Sequence, residues 1–215
     1  MPTFLADPQL RLHNRLLLLE AAFKRHESTP IVKKTVDRFA LQEGLISNLW
    51  QSWGRFCRDV LVNSAIGTQS LSGANVASPY AGRPEAEIAY IARQLAQKSP
   101  VGLIKAIAGP HQEPTWGDLG KINLIATGLG TSNQATLLSA FGGAQFVSDL
   151  QLCRNASAHY CAERVADVRT ARVRYNSTRF QHPSDMLRWI DPASNDPLWL
   201  NWIGEMRTVS ANAIV

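Results

Sequence analysis

The sequence predicts an all-α fold, on three observations. Apolar residues recur every three or four positions over most of its 215 residues. Helix starts and stops punctuate that pattern. No series of alternating strands is readable. One all-helical domain over 1–215, of bundle type, is the expected architecture.

Asp7-Pro8 reads as an N-cap followed by proline at the first helical position. The helix it opens runs to about His26, with Leu12, Leu16, Leu19 and Phe23 on one stripe, and Pro30 breaks it. A second helix is expected over about 34–62. There Phe39, Ile46, Leu49, Trp50, Trp53, Phe56, Cys57 and Val60 recur at spacings that suit a core. Residues 64–82 are small, polar and turn-forming, and read as one long loop.

Pro84 starts a third helix through Ile88, Ile91 and Leu95, and a short helical piece is expected around Leu103, Ile104 and Ile107. Thr115 with Asp118 resembles a capping box ahead of a helix that Gly128 and Gly130 stop. Thr131 or Ser132 caps the next helix, which ends near Gly142-Gly143. A longer helix then begins near Ala144 and carries Val147, Leu150, Cys153, Cys161, Val165 and Val168. The weakly alternating segment from Arg169 to Tyr175 is a candidate extended stretch. Two capped helices close the chain, one from Ser184 and one from Asp196-Pro197.

Composition narrows the function classes. Apolar residues make up 45% and charged residues 18%, which suits a packed core rather than disordered tails. The net charge is +5, and 16 of the 22 basic residues are arginine. Arginine pairs with phosphate through a planar fork, so nucleic acid is a reasonable partner. Cys57, Cys153 and Cys161 have no metal-ligand spacing and read as reduced thiols of a cytoplasmic protein. The apolar run Leu16–Leu19 is too short to span a bilayer, and no signal peptide is evident, so no membrane partner is expected.

Chemistry concentrates in QLCRNASAHYCAERV, residues 151–165. Drawn as one helix, its apolar stripe passes through Cys153, Ser157, Cys161 and Val165. Asn155 and His159 are four residues apart and share the opposite face, with Arg154 on its flank and Glu163 one turn further on. Histidine moves protons near neutral pH, and arginine stabilises charge on a phosphodiester. Asn155 is positioned to orient the imidazole or a ribose hydroxyl, and Glu163 to fix the imidazole tautomer. The same residues also suit a plain solvated helix face, with Arg154 paired to Asp149 or Glu163.

The run Arg154-Asn155-x-x-x-His159 resembles the signature of HEPN domains, an Arg followed after four to six residues by a His, often with Asn directly after the Arg. The helix 44–58, with its Trp-x-x-Trp and Phe-Cys-Arg, is similar to upstream helices of some members. The resemblance covers about one helix. It implies a HEPN-like helical bundle with extra helices and metal-independent endoribonuclease activity. Members serve as toxins of toxin–antitoxin modules, in abortive phage defence and in RNA-targeting CRISPR effectors. It further implies a homodimer that pairs two copies of the motif, and an antitoxin or defence-complex partner. Arg154, Asn155 and His159 are the matching positions, and Glu163 rests on helix geometry alone. One branch of the family carries a Tyr two positions after the His, where AMP is attached. Cys161 stands there instead, so that control is not expected.

Beyond the motif, Arg164, Arg169, Arg172, Arg174 and Arg179 interleave with Tyr175 and Phe180. Cations that track phosphates beside rings that stack on bases would suit single-stranded RNA. They would equally be ordinary surface arginines. No histidine falls in a metal-binding cluster, and no glycine loop follows a strand, so neither metal nor nucleotide cofactor is expected. The rival reading is a non-catalytic dimeric module that binds RNA or protein within a defence complex.

Overall fold

The computed structural model describes residues 4–28 and 35–215, and they form an all-α protein with a single small hairpin. In chain order the helices are α1 (Ala6–Ser28), α2 (Thr35–Ile66), α3 (Glu85–Ala96), α4 (Leu119–Leu129), α5 (Gln134–Gly142), α6 (Phe146–Ala158), α7 (Ala162–Ala171) and α8 (Leu198–Asn212). Strands β1 (Thr68–Gln69) and β2 (Asn75–Val76) pair antiparallel. The expected break at Pro30 and the start of α2 near Lys34 lie outside the described residues. Where the sequence suggests one domain, Cα proximity groups the chain into two compact units.

The first unit gathers residues up to His13, Trp53–Ala144 and Thr208–Val215. Trp53 is fully buried at its centre, edge-on to Phe141 at 5.9 Å, and its indole N–H donates to the Gly117 carbonyl at 3.2 Å. Ile88 and Ile91 of α3 and Ile122, Ile125 and Leu129 of α4 are buried with it. Asp118 caps α4 by accepting from the Lys121 amide, so Asp118 and not Thr115 is the capping side chain. Gly130 ends α4 in the left-handed region (φ 60°), where glycine carries no Cβ penalty. Gly128 instead lies inside the helix, its backbone so close to the Leu95 side chain that a Cβ there would meet it at 2.2 Å.

The other departures in this unit have simple causes. Residues 64–82 are tied down more than their composition suggests. α2 continues through Ile66, Gly73 turns the hairpin at φ +83°, and Ala77 and Ser132 exchange two hydrogen bonds. Ser132 is thereby taken, and Asn133 stands at the start of α5 without a side-chain cap bond. The expected helix around 103–107 does not form, and Leu103 is 80% exposed. Pro100, Gly102, Gly109 and Pro110 leave too few residues between breakers to nucleate a helix.

An ion-pair cluster sits on this unit. Arg58 donates to both oxygens of Glu113, at 2.8 and 2.9 Å, and reaches Glu85 at 3.3 Å. Burial pushes the Glu113 pKa up, but hydrogen bonds from Arg58 and Trp116 and the Arg58 charge together outweigh it and hold the carboxyl below the usual 4.5. A depressed carboxyl contributes stability that is complete above its unfolded-state pKa and is lost as pH falls through the lower folded value. Thermal unfolding scanned from about pH 6 to about pH 3 is therefore expected to fall less steeply for Glu113→Gln than for the parent. Parallel profiles would remove Glu113 as a source of acid sensitivity.

The second unit comprises Asn14–Ser52 and Gln145–Arg207. Leu16, Leu19 and Phe23 of α1 are buried, and Phe23 stacks on Trp199 of α8 at 5.4 Å. Leu12, the first residue of the same stripe, is buried in the first unit. Glu205 of α8 accepts from the amides of Gln145 and Val147 at 2.6 and 2.7 Å and so closes the N-terminus of α6. The segment expected to open a helix at Ser184 is a 3-10 turn over Pro183–Arg188. His182 caps it, with its ring accepting from the Ser184 amide and its own amide donating to Asp185. Arg169 to Tyr175 is not extended: α7 runs to Ala171 and a 3-10 turn follows over Arg172–Arg174.

Candidate functional site

The motif does not lie on one continuous helix. α6 stops at Ala158, His159 takes the C-cap position (φ −129°, ψ 72°), and α7 starts only at Ala162. The His159 amide still donates to the Asn155 carbonyl at 2.9 Å, closing the last turn. No glycine or proline causes the break. It coincides with Tyr160 leaving the helix to stack on His182, at 5.6 Å with planes 12° apart. Cys161 then runs extended (φ −130°, ψ 159°) into α7. The expected apolar stripe is cut accordingly: Cys153 and Val165 are buried, whereas Cys161 is exposed.

Arg154 and Asn155 occupy the last full turn of α6 and are both half-buried. The Arg154 guanidinium donates to the Asn155 carboxamide oxygen at 3.1 Å. Asn155 thus orients the arginine rather than the imidazole, and Arg154 pairs with neither Asp149 nor Glu163. His159 is exposed, and its ring makes no hydrogen bond among the described residues. Glu163 is exposed in the first turn of α7, beyond the break, and makes no bond to the imidazole. The predicted role of Glu163 in fixing the His159 tautomer is therefore not met, because the break removes the helical register on which it depended.

The sequence pattern gave no sign of the structure that surrounds this turn. The rings of Phe39, His182 and Tyr160 form a ladder, with Phe39 on His182 at 4.5 Å. Both nitrogens of His182 are engaged, Nδ1 with the Ser184 hydroxyl at 2.9 Å and Nε2 with Glu43 at 3.3 Å. The acid–histidine–serine order brings a nucleophile relay to mind, but Ser184 is fully buried, with its hydroxyl also 2.9 Å from the Gln42 carboxamide. The group anchors the 3-10 turn. Tyr160 is 65% exposed at the outer end of the ladder, adjacent in sequence to His159. Cys153, in the core beneath, has its thiol pushed well above the usual range by burial and is no nucleophile.

The basic segment divides by partner. Arg174 and the Tyr175 hydroxyl both bond Asp149, which is 2% exposed. Burial raises the Tyr175 pKa, and its hydrogen bond to Asp149 raises it further. Arg164 pairs with Asp167, and Arg169 lies over the Phe180 ring at 5.4 Å. Phe180 and Tyr175 both lean on Trp189. The interleaved aromatics are thus committed to packing. Arg172 is exposed, and its guanidinium has no partner among the described residues. Of the five arginines of this segment, Arg174 holds a buried carboxylate and Arg164 pairs with Asp167, whereas the guanidinium groups of Arg172 and Arg179 have no partner among the described residues.

Among the described residues no three His, Cys, Asp or Glu side chains form a metal-binding group. No described helix is long and apolar enough to cross a membrane. No family model, curated protein or solved structure matches the chain.

Proposed function

We propose that this chain is a metal-independent endoribonuclease, HEPN-like in its motif and completed by a second copy of itself. One observation carries the reading: a guanidinium aimed by Asn155 and an unengaged, exposed imidazole flank the same helix end. That pairing suits phosphodiester transesterification. His159 takes the proton of a ribose 2′-hydroxyl, the 2′-oxygen bonds to phosphorus, and the bond to the 5′-oxygen breaks. Arg154 stabilises the charge that develops on the phosphoryl oxygens. The departing 5′-oxygen needs a proton from a second acid. His182 is engaged at both nitrogens, so the second imidazole is assigned to His159 of a partner copy. Products then carry a 2′,3′-cyclic phosphate and a 5′-hydroxyl.

Such an activity suits a toxin or an antiviral effector, held in check by a partner that covers His159. Incubation of the purified protein with single-stranded RNA in excess EDTA tests the reading. Cleavage with cyclic phosphate ends is expected, and protein that binds RNA without cutting it would instead be a dimeric binding module.

A further inference from the structure

We infer that the first unit holds a second site, unrelated to the motif, that takes a small phosphoanion. Its basis is a cavity of about 430 Å³ lined by the C-terminal end of α3, residues 111–115 and the first turn of α4. That volume is within the usual range of small-molecule sites. Three lining side chains are basic: Arg93, His111 and Lys121. The acidic one, Glu113, is already neutralised, with both oxygens bonded to Arg58 and one also to the Trp116 indole. The charge left facing the cavity is positive.

Neither charged cation of the lining bonds a carboxylate among the described residues. Arg93 is half-buried, and its guanidinium has no partner among the described residues. Its place in the last turn of α3 is favourable to the helix dipole. Lys121 stands in the first turn of α4, beside the Asp118 carboxylate that caps that helix end. Its ammonium reaches only the Thr115 hydroxyl, at a long 3.4 Å. With its ammonium bonded to a hydroxyl and to no carboxylate, Lys121 has charge to offer an anion in the cavity. The lining offers Gln97, Gln112 and Thr115 as further polar groups, and its one ring is the His111 imidazole. The cations and amides together suit phosphate oxygens. The inference is independent of whether the chain cuts RNA.

Calorimetric titration of the full chain with inorganic pyrophosphate, at about 0.15 M salt to screen diffuse attraction, provides the test. One site of sub-millimolar affinity is expected. Arg93→Met with Lys121→Met should weaken it by at least about tenfold, while Arg55→Met, an exposed cation outside the cavity lining, leaves it unchanged. Lys121→Gln adds a readout that a merely structural lysine would not give. The Lys121 ammonium makes one long bond, to the Thr115 hydroxyl at 3.4 Å, so the melting temperature should stay nearly unchanged while affinity falls. An oligoribonucleotide without terminal phosphates distinguishes the source: competition with pyrophosphate assigns the site to RNA backbone, and its absence to a free small molecule. No binding up to about 10 mM, or an affinity unchanged in Lys121→Gln and in the double variant, overturns the inference.

Discussion

His159→Ala is expected to slow RNA cleavage by about 10²–10⁴-fold, the usual worth of a positioned proton-transfer group, with fold and RNA affinity retained. The His159 ring is exposed and bonds to nothing among the described residues, so its removal costs no packing and no hydrogen bond. Arg154→Ala should lose about 10²–10³-fold through the stabilisation of phosphoryl charge. It should also weaken RNA binding, because a cation contributes to the ground state as well. Asn155→Ala should show a smaller loss that follows the arginine, since its carboxamide oxygen accepts from Arg154 at 3.1 Å. Single-turnover cleavage of a labelled RNA in EDTA, with circular dichroism on each variant, separates these cases. Unchanged cleavage in His159→Ala would sink the nuclease reading. Unchanged cleavage in Glu163→Gln is expected, since the carboxylate stands beyond the helix break.

The fold class was legible because it rests on periodicity. Leu16, Leu19 and Phe23, and in α2 Ile46, Leu49, Trp53 and Phe56, are buried where a 3.6-residue repeat puts them. The cap of α4 was legible only to within a turn: Asp118, expected inside a capping box opened by Thr115, is itself the capping side chain. The break between α6 and α7 was not. Residues 151–165 contain no breaker, and the helix ends where Tyr160 meets a ring 22 residues downstream, a tertiary contact without a local signal. The Arg154–Asn155 pair survives the break, since it lies within one turn. The alignment of Glu163 with His159 does not, since it needed one further turn of unbroken helix. The basic segment misled for a similar reason: composition reports arginines, but only packing reveals which of them faces a buried carboxylate.

Arg174→Ala should accordingly behave as a stability variant and not as an RNA-binding one. Asp149 is 2% exposed, and its partners are the Arg174 guanidinium and the Tyr175 hydroxyl. Removing the guanidinium leaves a buried carboxylate with one neutral donor, and breaking a buried pair in this way costs about 3–5 kcal/mol when both partners are enclosed. The Arg174 side chain is 52% exposed, so solvent screens part of its charge, and a loss of about 2–3 kcal/mol is the appropriate expectation. That corresponds to a melting temperature lower by roughly 4–12 °C. Asp149→Asn in the Arg174→Ala background should recover part of the loss, because a carboxamide keeps an acceptor for Tyr175 and carries no charge to strand. Arg172→Ala should do the opposite, leaving the melting temperature in place while weakening RNA binding and flattening its dependence on salt. If Arg174→Ala instead keeps its melting temperature and loses RNA affinity, the guanidinium faces the nucleic acid, and Asp149 must be held by Tyr175 alone.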